Sequence, residues 1–316
     1  MGCEPSQSGV GMHVAVCIVS YRNPADVTRC LKALSRSTHA DFEVVICENG
    51  GAPAFEALKA AVPERLPGGQ LVNLILSPGN LGYAGGVNVC LNATPHADAW
   101  WILNPDTEAS PNAIVAMLAR LEEGGCDLVG ATILTPEGRI DSRALRWSPW
   151  LARSSSIDHG ADPRAAFSRE EVERKAAYVC GGSMLVTRRF VDVVGPMRDD
   201  YFLYCEEIEW CLRARQRGLR IGYASDANVI HFKGTTTGVV PALAKRPRGP
   251  VFLDERNKIL VTRDIFHGRL PIVALAALAV LVLRFGRHGA WKQLGWALSG
   301  WMAGVRDKRG VPSWFR

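Results

Sequence analysis

Four short stretches of this chain hold residue types that could do chemistry. In Trp100-Trp101-Ile102-Leu103-Asn104-Pro105-Asp106-Thr107 an apolar run leads straight into a carboxylate fixed by a turn. An acid at the carboxyl end of a buried strand is placed to hold a hard metal ion against a diphosphate, although Asn-Pro-Asp is also ordinary turn chemistry. Asn80-Leu81-Gly82-Tyr83-Ala84-Gly85-Gly86-Val87-Asn88 follows another apolar run and opens a helix. Its glycines let backbone N–H groups approach an anion and a helix N-terminus favours phosphate, though a tight turn asks for the same residues. The spacing is not Gly-x-Gly-x-x-Gly, which speaks against a nicotinamide enzyme.

Tyr201-Phe202-Leu203-Tyr204-Cys205-Glu206-Glu207-Ile208-Glu209-Trp210 sets an acidic cluster at the start of a helix, among aromatic rings. Acids there stabilise a helix through its dipole, and a carboxylate shielded by rings can also have a raised pKa and act as a general base. His231 closes the apolar run Asn228-Val229-Ile230 and precedes Lys233 and the hydroxyls of Thr235, Thr236 and Thr237. A histidine so placed is either structural or turned toward a phosphate or metal.

These groups need a scaffold, and the apolar runs supply one. Residues 14–20, 42–47, 71–76, 99–103 and 128–134 read as strands buried on both faces, with helices at 25–35 and 111–123, the latter opened by Ser110 as N-cap. Such alternation specifies an α/β fold with a mainly parallel sheet, in which ligands bind at the carboxyl edge of the strands. From 139 to 175 the pattern dissolves into Arg, Ser, Asp and Pro, which reads as an irregular, partly mobile loop region. Regular structure resumes with strands at 183–186, 221–223 and 228–232 and helices at 188–194 and 206–217.

The chain has 316 residues, 47% of them apolar, enough for a continuous core. Nine cysteines, odd in number and never spaced Cys-x-x-Cys, argue against a disulfide framework or a zinc motif. Cys17 and Cys47 read as small buried hydrophobes, and a reducing cytoplasm fits. No charged start and apolar core mark a secretory signal, and the Met1-Gly2-Cys3-Glu4-Pro5-Ser6 match to a myristoylation pattern is too short to weigh.

Charge is divided unevenly. Residues 232–316 hold 15 Lys and Arg against 4 Asp and Glu, leaving 22 against 27 in residues 1–231. A basic tail suits nucleic acid or an anionic membrane surface. The net acidic remainder offers no basic, aromatic-studded face, which excludes nucleic acid as a partner. Residues 270–283 are free of charge and flanked by Arg269, Arg284, Arg287 and His288. Fourteen residues fall short of a bilayer crossing, so the expectation is an interfacial helix, or else a hairpin with residues 291–305 packed on the domain.

Taken in order, Ile18-Val19-Ser20-Tyr21, Glu48-Asn49-Gly50, the 80–88 glycine motif, Leu103-Asn104-Pro105-Asp106, Gly181-Gly182-Ser183-Met184-Leu185-Val186, the 202–207 cluster and Val229-Ile230-His231 resemble glycosyltransferase family 2. The resemblance is closest to its bacterial rhamnosyltransferase-like branch, which builds polysaccharide and lipid-linked glycans of the cell envelope, and it spans residues 13–265. It implies a GT-A fold for residues 13–265, while the apolar run and its flanking basic residues make 266–316 a helical segment expected at a membrane interface. It further implies a nucleotide-sugar donor, Mg2+ or Mn2+, and an inverting reaction. By position Asp106 is the metal-binding acid, Asn104 fills the first place of that element, and His231 lies near the metal and diphosphate. Ser20, Tyr21 and Glu48 fall at the nucleotide, and Asn80, Gly82, Gly85, Gly86 and Asn88 in the donor-binding loop. Glu207, with Glu206 as the alternative, takes the place of the catalytic base.

Four positions depart from the family pattern: Glu48, Glu207 and Glu209 stand where aspartate is usual, and Cys205 where glycine is common. The branch implies rhamnose from its dTDP donor, and residues 270–283 with their flanking arginines suggest a glycan or polyprenyl-linked acceptor and a peripheral location on the cytoplasmic face of the plasma membrane. Two rival readings are a sugar nucleotidyltransferase and a non-catalytic, membrane-associated nucleotide-sugar-binding protein. The first would want a glycine-rich basic loop where Ser20-Tyr21-Arg22-Asn23-Pro24 stands.

Overall fold

The computed structural model describes residues 11–234, 238, 240 and 242–315. The myristoylation-like start, Cys3 and the hydroxyls of Thr235, Thr236 and Thr237 lie outside the described residues.

The chain opens with β1 (Val14–Ser20), α1 (Pro24–Leu34), β2 (Phe42–Glu48), α2 (Ala52–Ala61), β3 (Val72–Leu76), α3 (Gly82–Ala93) and β4 (Ala99–Leu103). All seven residues of β1 are buried, because β1 pairs in parallel with β2 and β4 and is covered on both faces. Then come β5 (Thr107–Ala109), α4 (Ala113–Glu122), β6 (Leu128–Leu134), β7 (Ile140–Ser142), β8 (Leu145–Ser148), β9 (Arg153–Ser156), α5 (Arg169–Lys175), β10 (Ser183–Thr187), α6 (Arg188–Val194), α7 (Glu206–Gln216) and β11 (Ile221–His231).

Nine strands form one sheet in the order β3-β2-β1-β4-β10-β6-β11-β5, with β7 beside β6. β1 to β4 share one direction, and β10 runs antiparallel between β4 and β6. That strand reverses direction, so its start at Ser183 lies against the end of β4 at Leu103. Trp100 and Trp101 show how the sheet divides the core: as neighbours on one strand they point into opposite layers, one among Val87, Met184 and Tyr201, the other among Val16, Ile46 and Leu185. Each indole N–H is satisfied, on the Thr94 and Ser183 hydroxyls at 3.0 Å.

Several sequence expectations need correction. The 139–175 region is ordered: it contains β7, the β8–β9 hairpin and α5, which Ser168 caps by accepting from the Glu171 N–H. Its polar composition hid this order because the charges are paired inside. Arg143, 3% exposed, donates to Asp158 at 3.0 Å and to the Tyr223 hydroxyl at 2.8 Å and stacks over the Phe167 ring. The two strands expected at 221–223 and 228–232 are one, β11, interrupted by an irregularity between Ala224 and Asn228. Ser110 does not cap α4; Asn112 holds that position, and the Ser110 hydroxyl accepts from the Asn228 N–H instead. Cys17 and Cys47 are fully buried, and the eight described cysteines are free.

The C-terminal third adds α8 (Arg248–Ile265), α9 (Leu270–Arg287) and α10 (Trp291–Val305). α8 escaped the sequence reading, since its apolar residues do not gather on one stripe; eleven of its residues are buried. α10 lies backbone to backbone on α8: a Cβ on Gly300 would stand 2.2 Å from the Phe252 carbonyl oxygen, and one on Gly304 2.6 Å from that of Arg256. The helix around the uncharged 270–283 run is longer than the run itself. With its leading turn it spans His267–Arg287, 21 residues, long and apolar enough to cross a membrane by length and composition.

Candidate active site

The ends of β1, β2 and β4 lie side by side, and the turns that follow them carry most of the predicted residues. Glu48, 1% exposed, is saturated: it accepts from the Ser20 hydroxyl, from Arg22 N–H at 3.1 Å and from Gly50 N–H at 2.7 Å. Its carboxylate thus stitches the β1 turn to the β2 turn. Tyr21 is half-buried beside them, with the Arg22 guanidinium 5.0 Å from its ring centre. Asn49, for which sequence alone showed no role of its own within the Glu48-Asn49-Gly50 turn, ties this corner to the glycine motif by donating to the Gly82 carbonyl at 2.8 Å.

Within that motif the residues divide by task. Asn80 is exposed, and its side-chain oxygen accepts from Gly82 N–H at 3.1 Å. Gly82 has φ +73°, and a Cβ there would stand 2.0 Å from the Phe202 carbonyl oxygen, so the start of α3 touches the loop before α7 directly. Gly86 leaves room for Val19 and Asn49, and Gly85 for Leu81. The Asn88 amide is spent on the main chain of Met197, donating at 2.8 Å and accepting at 3.0 Å, which pins α3 to the turn after α6.

Asp106 is 7% exposed and lies 3.2 Å from Nε2 of His231, across the antiparallel pairing of β5 with the end of β11. Asn104 Nδ2 lies 3.3 Å from the same ring nitrogen, and Asn104 Oδ1 is buried without a hydrogen-bond partner among the described residues. Burial pulls the His231 pKa down, but the Asp106 bond and the Cys180 sulfur outweigh it and push it up to about 9. His231 therefore shares a proton with Asp106, and the carboxylate, the unpartnered Asn104 Oδ1 and the imidazole together are a donor set for a divalent ion. The residues present fit such an ion.

Glu206 and Glu207 open α7 behind a left-handed approach: Phe202, Tyr204 and Cys205 have φ of 67°, 74° and 66°. The Cys205 value is the physical reason for glycine at this place in the family, since L residues adopt it at a cost of about 1–2 kcal/mol. The loop is held open by α8. Asn257, fully buried, donates to the carbonyls of Tyr201, Leu203 and Tyr204 at 3.0, 2.8 and 2.7 Å. Arg256 adds a bond to Tyr201 O at 2.8 Å. No sequence signal marked these two, because α8 itself was not recognised.

Both carboxyls lie above the usual range, Glu206 through burial and the charge of Glu207, Glu207 through burial and the charge of Asp254. Glu206 is 2% exposed with one carboxylate oxygen lacking a partner among the described residues, whereas Glu207 is partly exposed. Glu209 is occupied by a two-pronged pair with Arg213 at 2.9 and 3.0 Å.

The two halves meet at Gly181-Gly182. A Cβ on Gly181 would stand 3.2 Å from Cβ and Cγ of Glu207, and one on Gly182 3.0 Å from Cε1 of His231 and 3.3 Å from Nδ2 of Asn104. Adjacent Cα atoms are about 3.8 Å apart, so the acid pair and the Asp106 group flank one dipeptide. Tyr83 seals the junction, its hydroxyl donating to Gly181 O at 2.6 Å. Burial first, then the charges of Glu206, Glu207, Cys180 and Asp106, raise its pKa.

This mostly parallel sheet layered with helices is a GT-A fold. The chain belongs to glycosyl transferase family 2, whose model matches residues 15–194, and is an inverting glycosyltransferase that uses a nucleotide-sugar donor. It is 28% identical over 267 residues to the N-acetylglucosaminyl-diphospho-decaprenol L-rhamnosyltransferase of Mycobacterium tuberculosis, covering 77% of this chain and 84% of that one. It is 22% identical to the low-salt glycan biosynthesis hexosyltransferase Agl10 of Haloferax volcanii, covering 95% and 93%.

Among solved structures, the mannosyltransferase PcManGT from Pyrobaculum calidifontis, in complex with GDP-Man and Mn2+, superposes with TM-score 0.55 at 13% identity, covering 95% of this chain and 89% of that one. GalNAc-T7 with UDP, GalNAc and Mn2+ superposes with TM-score 0.62, also at 13% identity, over 81% of this chain but only 48% of the other. These likenesses show the fold.

Proposed function

We propose that the enzyme transfers a rhamnose-type sugar from a nucleoside-diphosphate donor, in the first instance dTDP-rhamnose, to a hydroxyl of a polyprenyl-diphosphate-linked glycan. The single observation that carries this is the Gly181-Gly182 bridge between the Asp106 group and Glu207. A donor diphosphate on one side and an acceptor hydroxyl on the other is the layout an in-line displacement at the anomeric carbon requires. The lipid-linked acceptor and the rhamnosyl group follow the mycobacterial relative.

In this reading Asp106, Asn104 Oδ1 and a neutral His231 would hold a divalent ion, Mg2+ or Mn2+, which would supply positive charge against the departing diphosphate. Glu207, partly exposed and against the Gly181 wall, takes the proton of the attacking hydroxyl. Glu206 lies deeper, and burial with the charge of Glu207 raises its pKa, so a proton shared by the pair favours Glu206 over the more exposed Glu207. Ser20, Tyr21, Glu48 and Asn49 shape the nucleotide end, and the Asn80–Gly82 turn the diphosphate end.

The acceptor side is supported by α9. Ile272, Leu275, Val282 and Leu283 are exposed on it, Trp291 follows, and Arg269, Arg284 and Arg287 flank it. That composition suits the headgroup level of an anionic membrane at the cytoplasmic face. A cavity of about 160 Å³ lined by Tyr204, Arg246, Asp254, Glu255 and Arg284 lies between the acid loop and α9, where a lipid-borne sugar would arrive.

The test is acceptor-dependent release of nucleoside diphosphate, with Mn2+, a panel of nucleotide sugars and polyprenyl-diphosphate N-acetylglucosamine. Glu207→Gln is expected to lower kcat by about 10²–10⁴ with donor affinity kept. A variant with more than about a tenth of the wild-type rate removes Glu207 from the role.

A further inference from the structure

The opposite edge of the sheet carries a second cluster that the transfer reaction does not use. His13 precedes β1, Glu43 lies near the start of β2, and His96 sits on the turn between α3 and β4. These positions are at the amino ends of strands whose carboxyl ends hold Ser20 and Glu48, so about 20 Å of strand separates the two regions.

One ligand atom from each of His13, Glu43 and His96 lies within 4.8 Å of the other two. Both rings present Nε2 to the same Glu43 oxygen, at 3.3 Å from His13 and 2.5 Å from His96. Around a tetrahedral zinc, with bonds of about 2.0–2.1 Å, neighbouring ligand atoms stand about 3.3 Å apart. The His13–Glu43 pair already has that spacing. The His96–Glu43 pair must open by less than about 1 Å, which a ring 61% exposed on a turn allows.

A fourth residue points to a ligand as well. Asp41 Oδ1 lies 2.7 Å from His13 Nδ1, the carboxylate–histidine arrangement that orients an imidazole and leaves Nε2 for the ion. Glu43 is 12% exposed at the side chain, and the whole group borders an open depression of about 620 Å³, so solvent could fill a fourth position.

We propose that His13, Glu43 and His96 form a zinc site, oriented by Asp41, that clips together three chain segments at the amino edge of the sheet. Two imidazoles and one carboxylate suit Zn2+ better than the all-oxygen preference of Mg2+. The chain would then sort two metals, a borderline ion here and a hard one at Asp106.

The experiment titrates Co2+ and then Zn2+ into the chelator-treated full-length protein, reading Co2+ visible absorption, calorimetric affinity and thermal unfolding. An Asp106→Asn background silences the other site. Intense tetrahedral Co2+ bands at one equivalent, displaced by Zn2+, are expected with Asp106→Asn. His96→Ala, whose ring is exposed, should keep the fold and lose at least tenfold in Zn2+ affinity, and Asp41→Asn should lose about tenfold. Equal Zn2+ affinity in wild type and His13→Ala/His96→Ala, or loss of the bands with Asp106→Asn, overturns the assignment.

Discussion

Replacing Asn257 with alanine should damage catalysis without touching any group in the cleft. The amide is fully buried, and its two N–H groups serve three main-chain carbonyls. Its loss leaves Tyr201 O with the Arg256 bond at 2.8 Å, while Leu203 O and Tyr204 O lose their Asn257 donors at 2.8 and 2.7 Å. At about 1–3 kcal/mol for each buried polar group left unsatisfied, the native loop rises by about 2–6 kcal/mol.

Phe202, Tyr204 and Cys205 are held at positive φ, so the loop has lower-energy conformations to relax into, and relaxation displaces Glu206 and Glu207. A misplacement of about 1 Å at a reacting group costs about 10²-fold in rate. Scanning calorimetry beside steady-state kinetics should show a Tm lower by about 4 °C or more, kcat lower by about 10–10², and donor KM within about twofold. A variant with wild-type Tm and wild-type kcat would refute the claim that α8 holds the acid loop in place.

Three further outcomes are expected. The raised Glu207 pKa puts its ionised form, and hence turnover, at higher pH than an ordinary glutamate would; kcat should fall as pH drops, with a midpoint well above about 4.3, and a pH–rate profile with an ordinary carboxylate midpoint contradicts this. Gly82→Ala drives a methyl into the Phe202 carbonyl and demands a left-handed alanine, so donor KM should rise and stability fall by about 1–3 kcal/mol; wild-type donor titration and melting would show the contact to be slack. Leu275→Glu/Leu283→Glu places two charges on the exposed face of α9 and should abolish flotation with anionic vesicles while donor hydrolysis persists; undiminished flotation removes α9 as the anchor.

What the sequence determined by itself was the sheet and the identity of its acids. The runs at 14–20, 42–47 and 99–103 are apolar on both faces because they lie in the interior of a parallel sheet, and that pattern needs no tertiary knowledge to read. Asp106 and His231 stood out because polar residues where apolar runs end must lie at an edge, whereas Glu207 stood out as an acid at the start of a helix among rings and by the family resemblance. Local pattern failed where polarity is satisfied inside. Arg143 and Arg256 look like surface residues in sequence and are buried on partners tens of residues away. Only the tertiary structure decided that β10 reverses and brings Gly181-Gly182 between the acid pair and the Asp106 group, and that α8 props the strained loop. Those relations join residues 104, 182, 207, 231 and 257, and no short-range periodicity encodes a contact across that span of chain.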